Sequence, residues 1–299
     1  MASPFWAHRI VNTTTAPAED PVEWGTTIGP RVGRFDLRIG ELWDYRDLIV
    51  LLVRRDFVSQ YKQTILGPLW HVINPLLTTI IMSVVFGGIA KIPTDGVPPF
   101  LFYLAGTTMW NYFARALTTT SSTFVSNAAI FGKVYFPRLA IPVAQMLSNL
   151  VAFGIHFTLF LACLAFYAHR GTAVQPNAAL LLTPVLLLIM AGLGLGAGII
   201  ASAVTTRYRD LTQLITYGVQ LLMYATPVIY PLSIVPSKLR SIVIANPMTP
   251  LVEGFRYAFL GHGSLSYLSL IYSAACALTA LWLGTILFHR TERTFMDTV

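Results

Sequence analysis

Long apolar runs separated by short polar connections dominate the chain, at approximately 69–90, 99–120, 140–168, 178–204, 211–230 and 266–288. A hydrocarbon core about 30 Å thick takes roughly 20 apolar residues of helix to cross. Each run therefore predicts a transmembrane helix, and the fold class is an all-α membrane protein with six spans. The segment before the first run has another pattern. Leu48, Ile49, Leu52 and Val53 form one apolar face, while Arg46, Asp47, Arg54, Arg55, Asp56 and Lys62 keep the segment near water. That is the pattern of an amphipathic helix lying in the membrane interface. It stops at Gly67-Pro68, and the first apolar run begins at once. A surface helix is thus joined through a sharp break to a helix that enters the membrane.

Two connections carry elements of their own. Between spans two and three, SSTFVSNAAIFGKVYFPRLAIP is semi-polar, with Pro137 and Pro142 marking a break before span three. It predicts a short helix on the cytoplasmic face. Between spans five and six, residues 231–265 are too apolar for a solvated loop. Pro247 and Pro250 separate two short helix-like pieces there. Re-entrant or interfacial helices fit, because non-helical backbone at membrane depth must be shielded by protein or line a cavity. The resulting organisation is a disordered cytoplasmic extension over 1–35, rich in Thr, Pro, Gly and Ala and without a cleavable signal. An amphipathic interfacial region follows over 36–67, then a transmembrane domain over 68–290 and a cytoplasmic tail over 291–299.

Composition agrees with the pattern. Charged residues make up 11% of the chain and hydrophobic ones 55%, against roughly 25% charged in a soluble domain. The net charge of +7 is spread over short loops, which excludes a single nucleic-acid-binding face. Near the membrane, one side carries Arg54, Arg55, Lys62, Arg115, Lys133, Arg138, Arg207, Arg209, Arg290 and Arg293. The other carries Lys91, Arg170, Lys238, Arg240 and Arg256. The richer side is cytoplasmic by the positive-inside rule, which puts both termini in the cytoplasm. Cys163 and Cys276 lie singly in apolar runs and read as packing residues.

The chemistry that is missing narrows the function. Of 13 acidic residues, only Asp95, Asp210 and Glu253 fall between positions 69 and 289, all in connections or at span ends. Ion-coupled transport calls for ionisable groups in the bundle. A membrane transferase calls for a carboxylate cluster. There is no GxxxxGK[ST] loop, so the chain has no phosphate loop of its own. Gly192, Gly194, Gly196 and Gly198 sit in an apolar span as overlapping GxxxG pairs, the pattern of close helix packing.

Positive signals lie on two spans and at the outer face. On span five, Gln213, Tyr217, Gln220, Tyr224 and Pro227 recur at spacings of four and three, forming one stripe. Amides and phenols on one face suit a polar passage, or an interhelical hydrogen-bonding seam. Span one adds His71, Asn74 and Thr78. His71 stands near the cytoplasmic end, either to meet a ligand phosphate or as a buried hydrogen-bonding group, and mid-span His156 reads as packing. Phe100, Phe102, Tyr103, Tyr224, Tyr230, Phe255, Tyr257 and Phe259 cluster toward the outer face. They form either an interfacial belt or a lining that stacks on sugar faces. Glu253 and Arg256, one turn apart, are placed to pair with each other.

RRDFVSQYKQTILGPLWHVINPLL, NAAIFGKVYFPRLAIP, the RYRDL segment at 207–211 and NPMTPLVEGFRYAFLG at 246–261 together resemble the ABC-2 polysaccharide export permeases. The resemblance covers about residues 40 to 290, and the extension before residue 35 is longer than typical. These permeases are transmembrane subunits that export O-antigen, teichoic acid, capsule and related glycans carried on a polyprenyl diphosphate lipid. The resemblance implies a homodimer in the bacterial inner membrane with two copies of a separate ABC ATPase, which holds the ATP and Mg. This chain would then carry no cofactor and no catalytic or metal site. It further implies an ATPase-coupling helix at Asn127, Phe131 and Lys133, and an external gate of short helices carrying Glu253, Phe255, Arg256 and Tyr257. The passage would be lined by Asn74, Thr78, Gln213, Tyr217, Gln220 and Tyr224. Arg54, Arg55, Lys62 and His71 are candidates for the diphosphate at the cytoplasmic entrance. The alternatives are a drug- or lipid-exporting ABC-2 permease and, less well supported, a membrane-embedded glycosyltransferase.

Overall fold

A computed structural model of the chain describes residues 43–296, except 63, 132–135, 173, 207 and 209. The extension over 1–35 therefore lies outside the described residues. The described residues form helices joined by turns, with no strand among them.

The surface segment is α1, Arg46–Tyr61. Ile49 and Leu52 are buried against Ala140, Ile141 and Ala144, and Leu48 and Val53 pack beside them. The face that the sequence marks as apolar is thus the one turned to the protein. Gly67 then takes φ +49°, Gly67–Leu69 forms a single 3-10 turn, and α2 begins (Trp70–Met82). No heavy atom lies within 4 Å of where a Cβ on Gly67 would stand. The glycine is required by its backbone angle, not by space. Gly67→Ala should therefore cost about 1–2 kcal/mol, the left-handed penalty for an L-residue, measured as a lower midpoint in detergent unfolding. An unchanged midpoint would mean that the junction relaxes freely.

Each apolar run appears as helix. α2 continues as a π-helical segment Ser83–Ile89. α3 is Pro99–Ser121, α5 is Ala140–His169, α6 is Thr183–Thr205, α7 is Leu211–Ala225 and α10 is Tyr267–Met296. Four helical stretches are long and apolar enough to cross a membrane: Gly67–Ile89, Ala140–His169, Ala178–Thr205 and Tyr267–Phe288. The other two runs depart for different reasons. α3 is Thr-rich and lies at the centre of the bundle, where Leu101 through Trp110 are all buried; a helix surrounded by protein has little lipid to match. α7 stops at Ala225, short of residue 230. Thr226 is extended (ψ 143°) because Pro227 follows it, so α7 is about 22 Å long at 1.5 Å per residue.

Helix packing follows the small residues. Inside a bilayer, helices gain little from hydrophobicity and associate by close contact. A Cβ on Gly194 would stand 2.8 Å from the Ala116 Cβ, and one on Gly198 2.6 Å from the Thr120 Cβ, so this face of α6 fits α3. A Cβ on Gly196 would stand 2.6 Å from the Leu281 amide nitrogen, so the other face fits α10. The alternating glycines are a two-sided packing device. Cys163 and Cys276 are partly buried against the main core.

The predicted connections also contain helices. α4 (Thr123–Phe131) follows α3 after a break at Ser122. α8 (Ser237–Ala245) and α9 (Thr249–Leu260) form the pair between α7 and α10. That pair is tied on several sides. The Asn246 amide donates to the Thr226 hydroxyl at 2.8 Å, Tyr272 to the Ala245 carbonyl at 2.7 Å, and Asn177 to the Tyr257 carbonyl at 2.8 Å.

Candidate functional site

The stripe on α7 is intact and turned outward. Gln213, Tyr217, Gln220 and Tyr224 are all exposed, Tyr217 by 60% and Tyr224 by 57%. Leu214 and Leu221 share the exposed surface, and Val219 is the one buried residue of the helix. Pro227, the last member of the stripe, is buried instead. α7 and α2 both pack on α3. On α2, Asn74 and Thr78 face outward with Trp70, Leu77 and Ile81. The two polar faces are thus presented by helices resting on the same central helix.

His71 departs from this stripe. It is 4% exposed and faces the bundle with Pro75 and Thr79. Its ring stands edge-on to His156 at 5.9 Å between centroids. The spacing of three to Asn74 straddles the boundary between the inner and outer faces of α2, which a pattern of polar positions does not reveal. Among the other entrance candidates, Arg54 and Lys62 are exposed, whereas Arg55 pairs with Asp56 at 2.7 Å.

At the opposite end, Glu253 and Arg256 form a buried ion pair with 3.5 Å between Nη1 and Oε1. Arg256 does more than pair. It donates to the carbonyl oxygens of Pro227 and Val228, which the broken end of α7 leaves without helical partners. Its guanidinium also lies 3.6 Å over the Phe102 ring, a cation–π contact strengthened by desolvation. Gly106 of α3 admits this arrangement, since a Cβ there would stand 2.6 Å from Arg256 Nη2. Burial pushes the Glu253 carboxyl up, while Arg256 and the backbone amides of Ser264 and Leu232 pull it back. Burial also lowers Arg256 to about 10 against the opposing pull of Glu253. Three helices, α3, α9 and the broken end of α7, therefore meet on one guanidinium.

Asp95, Glu253, Arg256 and His262 line a cavity of about 10 Å³ beside this pair. That is room for about one water, not for a sugar ring. Asp95 accepts a hydrogen bond from Ser233 at 2.8 Å. Asp95 and Glu253 thus line one small cavity, but in a closed, paired setting rather than as an open carboxylate cluster. Among the described residues no group of acidic, His and Cys side chains is arranged to hold a metal ion.

The outer aromatics separate into two groups. Phe102, Tyr103, Phe255 and Phe259 are buried in the core. Phe255 and Phe259 lie 4.6 Å apart, and both contact Phe157 and Phe160 of α5. Within the chain these four rings neither form a belt nor line a passage. Tyr257 is half-buried and Tyr224 exposed.

On α4, Asn127 is buried and donates from its amide to the Thr123 carbonyl of its own helix at 3.0 Å. The Phe124 ring packs against Phe288 of α10, tilted by 30° with 4.6 Å between centroids. Among the residues of α4 whose side chains are described, Val125 and Ser126 are exposed, and the sequence pattern does not single them out. Phe131 ends the helix, and Lys133 lies outside the described residues. Arg115, counted above only as a charge near the membrane, is half-buried in the last two turns of α3.

Comparison with known proteins places this arrangement. The ABC-2 type transporter family matches residues 47–260. The chain is 29% identical over 255 residues to an O-antigen export system permease protein, RfbA, of Klebsiella pneumoniae, covering 84% of this chain and 94% of that protein. It is 27% identical over 264 residues to the protein of that name from Myxococcus xanthus, covering 87% and 98%. It is 22% identical over 246 residues to the polysialic acid transport protein KpsM of Escherichia coli, covering 82% and 93%. With most of its length matched, and with the surface helix, the Gly67 break and the α8–α9 pair inside or beside the matched region, the chain belongs to the ABC-2 type transporter family.

Proposed function

We propose that this chain is the transmembrane permease subunit of an ATP-driven exporter that moves a polyprenyl-diphosphate-linked cell-envelope polysaccharide across the bacterial inner membrane. The relatives named for O-antigen export and polysialic acid transport support the cargo class. The observation that carries the mechanism is α7. A helix with a single buried residue and four exposed polar side chains on one stripe calls for a partner surface. A second copy of the chain supplies it, so that α7 and the outward face of α2 enclose a passage at the dimer axis. Amides and phenols there replace water around the glycan, while the lipid tail stays in the bilayer.

All six apolar helices span the membrane in this reading, with both termini in the cytoplasm. The energy enters from two copies of an ABC ATPase, which bind and hydrolyse ATP with Mg. No enzymatic step falls on the permease. α1 lies in the interface, and α4 with its following residues, Lys133 among them, docks on the ATPase. Closure of the ATPase pair then moves α1, and the Gly67 break passes the motion to α2. α8 and α9 close the external end.

Tyr217→Ala combined with Tyr224→Ala is expected to reduce glycan export at least tenfold while ATPase binding is retained, with cargo accumulating in the cytoplasm of the cell. Wild-type export by the double variant would make the stripe a packing seam. A small-molecule exporter predicts a wholly apolar dimer interface, which the exposed Gln213 and Gln220 disfavour. Product formation by the purified chain without ATP would establish a transferase instead.

A further inference from the structure

α8 has no buried residue. At about 100° per residue, Leu239, Ile242 and Val243 share one arc of the helix, itself about 100° wide. Leu239 is 54% and Ile242 68% exposed, and Val243 is partly buried. Lys238 and Arg240 flank the arc on its two sides. Both are exposed, and no carboxylate stands within salt-bridge distance of either among the described residues. Ser237 and Ser241 lie opposite, where Ile244 is the one large apolar residue. An apolar arc between two cations on long stems is the pattern of a helix lying in a membrane interface.

The hydrogen bonds at the end of α8 fix its depth. The Ala245 carbonyl accepts from the Tyr272 hydroxyl at 2.7 Å, and the Pro247 carbonyl accepts from the Ser273 hydroxyl at 2.8 Å. α10 supplies both donors, and its stretch Tyr267–Phe288 is long and apolar enough to cross a membrane. Ser273 lies in the second turn of that stretch, about 9 Å from its start at 1.5 Å per residue. Tyr267 and Tyr272 are exposed at the same helix end, as aromatic side chains are at headgroup level. The end of α8 is thus held at the depth, about 5–10 Å, to which an interfacial helix sinks its apolar face. From the other side, the Asn246 bond to Thr226 ties it to the end of α7.

We propose that α8 docks on an anionic phospholipid surface, with Leu239, Ile242 and Val243 at the acyl boundary and Lys238 and Arg240 on the headgroup phosphates. A second copy of the chain is the poorer occupant. Two copies of α8 meeting about a two-fold axis would bring four cations together with no acid on the helix. Because α8 runs into α9 through residues 246–248, the lipid surface holds in place the helix that carries Arg256. The inference does not depend on the cargo, nor on which face of the membrane α8 occupies.

The full chain in nanodiscs tests it, with Ile242 or, separately, Ser241 replaced by the fluorescent amino acid dansylalanine. A nitroxide on the upper acyl chain should quench the probe at position 242, and acrylamide in the water should not. At position 241 the preference should reverse. Lipid quenching at 242 should be stronger with phosphatidylglycerol present than in phosphatidylcholine alone, and Lys238→Gln with Arg240→Gln should abolish that difference. Acrylamide quenching at both positions overturns the proposal. So does quenching by neither agent at 242, the result of burial against a second copy. Equal lipid quenching in the two bilayers also overturns it, since the cations would then hold no headgroup. The comparison of positions and bilayers decides even if the double variant folds poorly.

Discussion

Replacing Arg256 by Ala is expected to destabilise the protein by about 3–5 kcal/mol, the usual cost of removing one partner from a buried ion pair. The loss has several parts. Glu253 is left as an uncompensated buried carboxylate, and burial already pushes it toward its protonated form. The carbonyls of Pro227 and Val228 lose their donor at the point where α7 has ended. The face of Phe102 loses its cation. Arg256→Lys preserves the charge but not the planar fork that reaches two carbonyls at once, and should recover only part of the loss. Glu253→Gln should be milder, because it removes the charge while retaining hydrogen-bonding atoms. The measurement is the unfolding midpoint of the purified chain, together with protease accessibility of the loop after α7. If Arg256→Ala falls within about 1 kcal/mol of wild type, the guanidinium does not hold these three elements together. Because the cluster ties α9 to α3 and to the end of α7, the end of the bundle that holds α9 should open before the rest in this variant.

Gly196→Leu is expected to have the second largest effect, abolishing assembly of α6 with α10. Even Gly196→Ala places a Cβ 2.6 Å from the Leu281 amide nitrogen and 2.7 Å from the Ala280 carbonyl carbon. Those are backbone atoms, which yield only if the helices separate. Overpacking of this kind costs about 1–3 kcal/mol for the smallest addition, and a leucine adds three more carbons to the same gap. Gly284 faces the same junction from α10, with its own Cβ position 3.0 Å from the Gly196 carbonyl oxygen. Gly154→Ala is the matched control, since its Cβ enters open space and a helical alanine is favoured over glycine. Thermal retention of monodisperse protein in detergent should fall steeply along Gly196→Ala and Gly196→Leu and stay level for Gly154→Ala. Equal behaviour of the two alanine variants would remove close approach as the reason for the glycine pattern.

Much of this molecule follows from local pattern. Composition and run length set the positions of the apolar helices, because the cost of an unpaired peptide group in lipid leaves helix as the one economical state for such runs. Gly67-Pro68 marks the break between α1 and α2, since one residue supplies the positive φ and the next cannot continue a helical hydrogen-bond ladder. The spacing of Pro247 and Pro250 separates α8 from α9, and glycine spacing announces the two packed faces of α6. The polar stripe on α7 is likewise a matter of helical periodicity.

What depends on neighbours does not follow from spacing. The side of α2 on which His71 lies is set by His156, which is 85 positions away and reaches it because α5 packs against α2. The aromatic residues toward the outer face look alike in sequence. Phe255 and Phe259 are drawn inward because α9 folds back onto α5, while Tyr224 stays outside on a helix that little else covers. Arg115, within the predicted span 99–120, counts only as a charge near the membrane until the packing of α3 is seen to half-bury it in the bundle. Arg256 reads as one half of an i,i+3 pair until the early end of α7 brings two free carbonyls to it. Periodicity specifies which residues share a face, but the choice of what that face meets is a long-range packing energy, and it is settled when the helices assemble.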